Sequence, residues 1–371
     1  MKPMLQLQIN RRVFFKRTSL AVAATGVPAW FLEQSLDAAD SPVPTLANDR
    51  PNIALIGCGG MGRQDAKLAS AFANVVAVCD VDAKRVEAAS QQFGGAKMFS
   101  DFRRVLEQKD LHAIINGTPD HWHTLINLAA LRAGKDVYSE KPLTLTLDEG
   151  RGLVDAVRKS KGVLQTGSQQ RSDALSPCLQ TRAQWTHGMG LDRTGPVTIE
   201  GKRLIEEIPG GYNAPSQYRV EYTYANGVTQ TTESTMRNRF DGSVAKDQAD
   251  TLPEHGVKFE GSEGWIFVTR GKIEASRQEL LDEPLTTKTV ELYVSNDHMG
   301  NFFDCIRSRT TPICDAEIGH RSVSVCHLGV VAARLGRKLQ WNPEVEQFVD
   351  DREADSYIAR EQRKPFTYDS I

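Results

Sequence analysis

The chain has 371 residues, enough for two domains with separate cores, and its 40% hydrophobic and 25% charged content is that of a soluble globular protein. A formal net charge of −2 gives no basic face, so nucleic acid is not expected as a partner. Six cysteines stand at 58, 79, 178, 305, 314 and 326 with no C-x-x-C pair, so zinc and thioredoxin-type chemistry are unsupported and no structural disulfide is expected.

Residues 1–39 read as a twin-arginine export signal. Asn10-Arg11-Arg12-Val13-Phe14-Phe15-Lys16 precedes a mildly apolar run, and small residues follow at Ala38 and Ala39. A membrane helix suits the run poorly, because Gly26 and Pro28 interrupt it and a bilayer needs about 20 apolar residues. Delivery to the periplasm is expected, with no membrane attachment once the signal is removed. This route carries folded proteins, which suits one that takes up a nucleotide in the cytoplasm. Residues 40–50, with Pro42 and Pro44, read as a flexible arm.

The stretch 53–62, Ile-Ala-Leu-Ile-Gly-Cys-Gly-Gly-Met-Gly, has four apolar residues and then Gly57, Gly59 and Gly62 spaced G-x-G-x-x-G. A helix can continue over 63–72, and 75–79 is a second apolar run ending in Asp80. Strand, glycine turn, helix, strand and acid are the order of a dinucleotide-binding unit. Gly57 permits the tight turn, Gly59 lets the backbone approach a pyrophosphate, and Gly62 lets the helix pack close on the strand. Cys58, Gly60 and Met61 complete a turn whose free N–H groups and positive dipole end suit phosphates. Asp80 can accept from both hydroxyls of an adenosine ribose and would repel a 2′-phosphate, which favours NAD. Arg85 in the next helix leaves NADP open.

The elements after Asp80 alternate. Residues 82–93 read as an amphipathic helix, and Ser100 as the cap of another reaching Gln108. A short strand is expected at 112–116, a helix over 124–133 ending at Gly134, and a strand at 136–139 running into Glu140-Lys141-Pro142. Thr146 and Glu149 read as a capping box for a helix to about Lys159, followed by a strand at 163–166. Such alternation predicts a doubly wound parallel sheet over 51–170, with ligands beyond the carboxyl ends of the strands, where Thr118, Lys141 and Gln169 fall.

The glycine turn, Thr118-Pro119 with His123 downstream, Ala133-Gly134-Lys135 and Glu140-Lys141-Pro142 resemble the Gfo/Idh/MocA oxidoreductases. The resemblance covers nearly all of 51–170 and recurs in motif order. Later stretches, among them Gly195-Pro196-Val197, Ser295-Asn296-Asp297-His298 and Gly319-His320-Arg321-Ser322, look like the exported bacterial branch. The resemblance implies that Lys141 points into the site and bonds the reacting hydroxyl. Thr118, Pro119 and His123 match cofactor-contacting positions, Glu140 and Gln169 are also expected at the cofactor, and Glu140 and Pro142 would shape the turn. A lysine suits hydride transfer because its charge stabilises a developing alkoxide. No cluster of His and acids has metal-ligand spacing, so no metal is expected.

Beyond Arg171 the pattern predicts an α+β domain over 171–343 with a largely antiparallel open sheet. Strands are expected at 197–204 and 218–230, the latter folded at Asn226-Gly227, with further strands at 256–260, 265–269 and 272–275. One face of this sheet is free for substrate or another subunit, so a homo-oligomer is expected. Residues 231–255 read as a loop. Asp297 should cap a helix to Ser308, another helix should span 318–335, and the charged tail 344–371 should wrap the surface.

The chain departs from its family at the start of this domain. A helix carrying a His and an Asp is expected there, but Leu179-Gln180-Thr181 stands at their place, ahead of Arg182-Ala183-Gln184-Trp185. Several tens of residues look deleted, and His187 is the nearest substitute. The leading expectation is an NAD-dependent oxidoreductase of a sugar, cyclitol or related polyol, impaired by that loss. An NAD-dependent glycosidase of the same fold and a non-catalytic nucleotide-binding or assembly subunit are the alternatives.

Overall fold

The computed structural model describes residues 50–172, 190–204, 217–234, 256–269, 272–282, 293 and 295–368. The signal, nearly all of the arm, His187 and the 179–185 stretch lie outside the described residues.

Six parallel strands form the first sheet: β1 (Asn52–Ile56), β2 (Asn74–Cys79), β3 (Lys97–Phe99), β4 (Ala113–Asn116), β5 (Asp136–Ser139) and β6 (Leu164–Thr166). Their order is β3-β2-β1-β4-β5-β6, the doubly wound order whose reversal between β1 and β4 opens a crevice for ligands. The connecting helices are α1 (Gly60–Ala69), α2 (Ala83–Gln92), α3 (Phe102–Leu106), α4 (Asp120–Arg132) and α5 (Leu147–Ser160). Side chains alternate along each central strand, so β1 sends Ile53 and Leu55 to one core and Ala54 and Ile56 to the other. Both faces are therefore dry, and the central strands are apolar throughout.

Local chemistry sets most boundaries. Asp82 caps α2 by accepting from the Lys84 and Arg85 amides, and Gly134, at φ 71°, ends the turn after α4. Asp101, rather than Ser100, caps α3, accepting from the Arg103 amide. Helix α4 starts at Asp120, a turn earlier than expected, which places Trp122 and His123 on the helix. Thr146 accepts from the Glu149 amide, but Glu149 turns inward. Its carboxylate accepts from the Leu145 amide and the Thr124 hydroxyl instead of closing the box.

The later chain builds two antiparallel sheets where one was expected. Strands β7 (Thr198–Arg203), β8 (Tyr218–Thr223) and β9 (Thr229–Ser234) join β13 (Lys338–Asn342) and β14 (Gln347–Phe348) in the order β14-β13-β7-β8-β9. The hairpin turns at Asn226-Gly227, with Gly227 at φ 84°. β9 also claims 231–234 from the expected loop. Strands β10 (Val257–Gly261), β11 (Gly264–Thr269) and β12 (Lys272–Ala275) form a separate sheet. A short helix, α6 (Glu279–Asp282), follows.

Two helices join the halves. α7 (His298–Ser308), capped by Asp297, packs Met299, Phe302 and Phe303 into the parallel-sheet core beside Tyr138, with Phe303 stacked on Phe72 at 5.5 Å. On that face α1 packs on β1 and β4 and against α7, while α2 packs on β2 and β3. α8 (Ala316–Leu335) lies between α5 and the β7–β8 sheet and is buried on several sides, which explains its largely apolar composition. From residue 344 the chain contributes β14 and the helix α9 (Arg352–Asp355), then returns to the first domain. There Phe366 meets Trp122 edge-on at 5.1 Å and the Tyr368 hydroxyl donates to Glu149 at 2.6 Å. Among the described residues no helix is long and apolar enough to cross a membrane, and Cys58, Cys79, Cys305, Cys314 and Cys326 are free.

Arg171, 1% exposed, grips Asp192 with two guanidinium nitrogens at 3.1 and 2.5 Å. Replacing Arg171 with methionine strands a carboxylate with little water, so a loss of about 3 kcal/mol is expected in urea unfolding. A loss below about 1 kcal/mol would show that the pair holds nothing together.

Candidate active site

The crevice between β1 and β4 is closed at its base by three mutually packed glycines. Gly57 has φ 92°, and a Cβ there would lie 2.5 Å from the Gly117 carbonyl carbon. A Cβ on Gly62 would sit 2.1 Å from the Gly57 oxygen, and one on Gly117 would sit 2.5 Å from the Gly62 Cα. Gly59 and Gly60 differ: a Cβ on either meets nothing within 4 Å. The turn is thus jammed on its protein side and open where the first amides of α1 emerge. Gly59 supplies no side-chain cap for those amides, and Cys58 and Met61 flank them. Such a cradle accepts a diphosphate.

Asp80 stands at the end of β2. Its Oδ2 accepts from the Cys58 amide at 2.7 Å and its Oδ1 from the Asp82 amide at 2.9 Å. The carboxylate therefore shapes the turn as well as facing the ligand side, with lone pairs left for two hydroxyls. Beside it a cleft of about 380 Å³ is lined by Val81, Val86, Met98, Phe99 and Ser100, an apolar slot of the kind an adenine ring fills.

Lys141 follows β5, at the carboxyl edge of the same sheet. Its side chain is 61% exposed, with Nζ 3.8 Å from Glu140 Oε2, and its peptide bond to Pro142 is cis. Glu140 is buried. It accepts from the Lys141 amide at 3.2 Å and from Gln169 Nε2 at 2.9 Å, while Gln169 also donates to the Tyr138 hydroxyl at 3.1 Å. Glu140 and Gln169, read from sequence as cofactor contacts, form the floor under Lys141.

Thr118 and Pro119 lead from β4 into α4. The Thr118 hydroxyl donates to Asn116 Oδ1 at 2.7 Å, and Pro119 holds the N-cap position. His123, also expected to touch the cofactor, is 1% exposed and faces two carbonyl oxygens, Thr118 at 2.8 Å and Pro142 at 2.7 Å. It braces the two loops that border the crevice. Its position on α4, one turn in, turns the ring toward protein rather than ligand.

Two profiles of one family match the chain in order: the oxidoreductase family's NAD-binding Rossmann fold over residues 51–168, and its C-terminal alpha/beta domain over 247–368. Together they span well over half of the sequence. The chain belongs to the Gfo/Idh/MocA oxidoreductase family. An inositol 2-dehydrogenase of Saccharopolyspora erythraea is 34% identical over 126 residues, 33% of this chain and 37% of that protein. A levoglucosan dehydrogenase of Pseudarthrobacter phenanthrenivorans is 30% identical over 210 residues, 48% of this chain and 54% of that protein. The chain spans about a third to a half of the length of these curated relatives. The WlbA dehydrogenase of Bordetella pertussis, solved with NADH and UDP-GlcNAcA, shares the fold with a TM-score of 0.59 and 18% identity, over 79% of this chain and 99% of that one.

Within this family member the site holds residues that the motifs did not reveal. Asn116 donates to Asn127, which donates to Ser139, tying the ends of β4 and β5 to α4. Asp65 on α1 is fully buried. A signal for it existed, because Gly62, Asp65, Ala66 and Ala69 form the helix's inward stripe at 3.6-residue spacing. His298, at the start of α7, places Nε2 3.0 Å from the Thr166 carbonyl and Nδ1 3.0 Å from the Ser172 hydroxyl. Burial lowers this imidazole to about 4, so the ring is neutral, and Nε2, which faces a carbonyl oxygen, carries its proton. The unfolded chain takes up that proton near the ordinary value of 6.5, and the folded one only near 4. Stability is therefore full above pH 6.5 and falls as the pH drops toward 4. Between pH 7.5 and 4.5 this site should cost on the order of 2 kcal/mol in urea unfolding, and His298→Gln should remove that slope. An unchanged slope in the variant would refute the assignment.

Proposed function

We propose that this chain binds NAD across the β1–β4 crevice and oxidises a carbinol carbon of a sugar, cyclitol or related polyol. The observation that carries the reading is the paired geometry of the edge. An amide cradle stands open at Gly59 and Gly60, and an exposed ammonium stands beyond β5 of the same sheet. Bound nicotinamide would supply the hydride acceptor. The residues supply the rest: the α1 amides hold the diphosphate, Asp80 takes the ribose, and Lys141 holds the substrate oxygen as its proton leaves. The dehydrogenase relatives acting on inositol and levoglucosan support a polyhydroxylated substrate.

Among the described residues, His123 and His298 each have both ring nitrogens engaged by protein atoms. Leu179-Gln180-Thr181 at the place of the family's His and Asp supports slow turnover carried by Lys141. The Arg11-Arg12 leader supports export of the folded, NAD-loaded protein to the periplasm. The polar outer face of the β7–β9 sheet, opposite α8, supports assembly into a homo-oligomer.

The test is calorimetric titration with NAD and NADP, with mass analysis of nucleotide carried through purification, then a panel of polyols, sugars and aryl glycosides scored for NADH formation or glycoside cleavage. Micromolar NAD binding with NADH formed from a polyol supports the reading. No binding of either nucleotide defeats it, and cleavage of an aryl glycoside replaces it with hydrolysis.

A further inference from the structure

The carboxyl-terminal segment converges on one buried carboxylate. Glu149, in the first turn of α5, is 3% exposed. Its Oε2 accepts from the Leu145 amide at 2.8 Å and the Thr124 hydroxyl at 3.0 Å, one from the loop after Lys141-Pro142 and one from α4. Its Oε1 accepts from Arg360 Nε at 3.0 Å and the Tyr368 hydroxyl at 2.6 Å, both from the tail. These donors fill the lone-pair positions of an ionised carboxylate. The tail binds the same two helix starts elsewhere as well. The Ile358 carbonyl accepts from the Asp148 amide at 3.1 Å, Arg360 donates to the His121 carbonyl at 3.4 Å, and Phe366 packs on Trp122. On α4, His123 spans the Thr118 and Pro142 carbonyls. The 141–146 loop is thus held at two points, Pro142 by His123 and Leu145 by Glu149, and both holders stand on helix turns that the tail grips.

We propose that Glu149 is a positioning residue of the site and that residues 358–368 are the strap that sets it: Arg360 and Tyr368, docked on Oε1, fix the carboxylate whose Oε2 holds the loop carrying Lys141. The catalytic meaning rests on the reading above, though the clamp itself does not. A carboxylate this deeply buried is stable only while its lone pairs are met. Lifting the strap removes two of the four donors and opens Oε1 to water. The carboxylate then turns outward to be solvated, the Leu145 amide loses its acceptor, and His123 alone holds the loop. The nucleotide cradle is spared, because Gly59, Gly60 and Asp80 stand on β1, α1 and β2, whereas the strap's bonds fall on α4 and α5. The strap therefore governs the placing of the ammonium and leaves the grip on the diphosphate unchanged.

Two measurements on the full chain test this. Arg360→Met combined with Tyr368→Phe removes both strap donors and leaves Glu149, Leu145 and Thr124 in place. Amide hydrogen exchange of the ligand-free protein should quicken at Leu145 by at least about tenfold, and more mildly over 118–123, with β1 and β4 unchanged. Tyr368→Phe alone, which deletes one oxygen near the chain end, should show the same pattern in smaller degree and serves if the double variant does not fold. The second measurement is steady-state kinetics. In the double variant kcat should fall about tenfold or more while NAD affinity stays within about twofold, since a reacting group displaced by about 1 Å is costly. Unchanged exchange at Leu145 overturns the proposal, and so does faster exchange there with unchanged kcat. Faster exchange across the whole domain, with NAD affinity falling alongside kcat, would make the strap a support of the fold only and also overturns it. If neither nucleotide binds, the NAD reading fails, and exchange at Leu145 still decides the clamp.

Discussion

Lys141→Ala is expected to lower kcat/KM by about 10²–10⁴-fold, the usual worth of a positioned acid–base group, while NADH affinity changes by no more than a few-fold. The separation follows from geometry. Diphosphate and ribose are held by Gly59, Gly60 and Asp80 on β1, α1 and β2, whereas Lys141 stands three strands from β2, past the end of β5. Parallel pairing of Ser139 with Asn116 and Thr166 fixes that strand end, and the Lys141 amide bond to Glu140 fixes the turn beyond it. Only the largely exposed side chain beyond Cβ is lost in the variant. Lys141→Arg keeps the charge but replaces a compact ammonium with a planar fork that hydrogen-bonds in a different geometry, so it should rescue binding of a polyol product more than turnover. Steady-state kinetics with fluorescence titration of NADH checks both parts. Turnover within threefold of wild type, or a collapse of NADH binding, would remove Lys141 from the reaction.

The second large effect is at Gly62. A methyl group there would lie 2.1 Å from the Gly57 oxygen and 3.2 Å from Leu55 Cδ1. The carbonyl cannot yield freely, because Gly57 at φ 92° is itself pressed on Gly117. Helix α1 must therefore lift from β1, which breaks core packing and moves the amides from the diphosphate. Gly62→Ala should cost about 3 kcal/mol in urea unfolding and at least about a hundredfold in NAD affinity. Gly60→Ala is the contrasting variant. Its methyl enters open space at the first helical residue, so stability should hold or rise slightly while nucleotide binding falls through crowding of the cradle. Wild-type stability in Gly62→Ala would mean that the three-glycine lock does not exist.

Much of this was legible before any coordinates. The G-x-G-x-x-G run, the following acid and the alternating strands and helices imply a parallel sheet with a nucleotide cradle, because each rests on local rules of turn chemistry and side-chain period. The caps at Thr146 and Asp297 belong to the same class, since a cap bonds amides within three residues of itself. His123 marks the edge of that legibility. Its motif position signals importance, but its partners, the Thr118 and Pro142 carbonyls, come from two separate loops.

The amino-acid order alone therefore determined the fold class, the family and the place of Lys141 at a strand end, all set by interactions short in sequence. Tertiary structure decided what lies next to what. It laid α7 across the parallel sheet, split the antiparallel strands into two sheets, and returned the tail from Arg360 to Tyr368 onto Glu149. Those contacts join groups remote along the chain, where neither spacing nor period carries information, and burial and hydrogen-bond satisfaction of the whole molecule select among them.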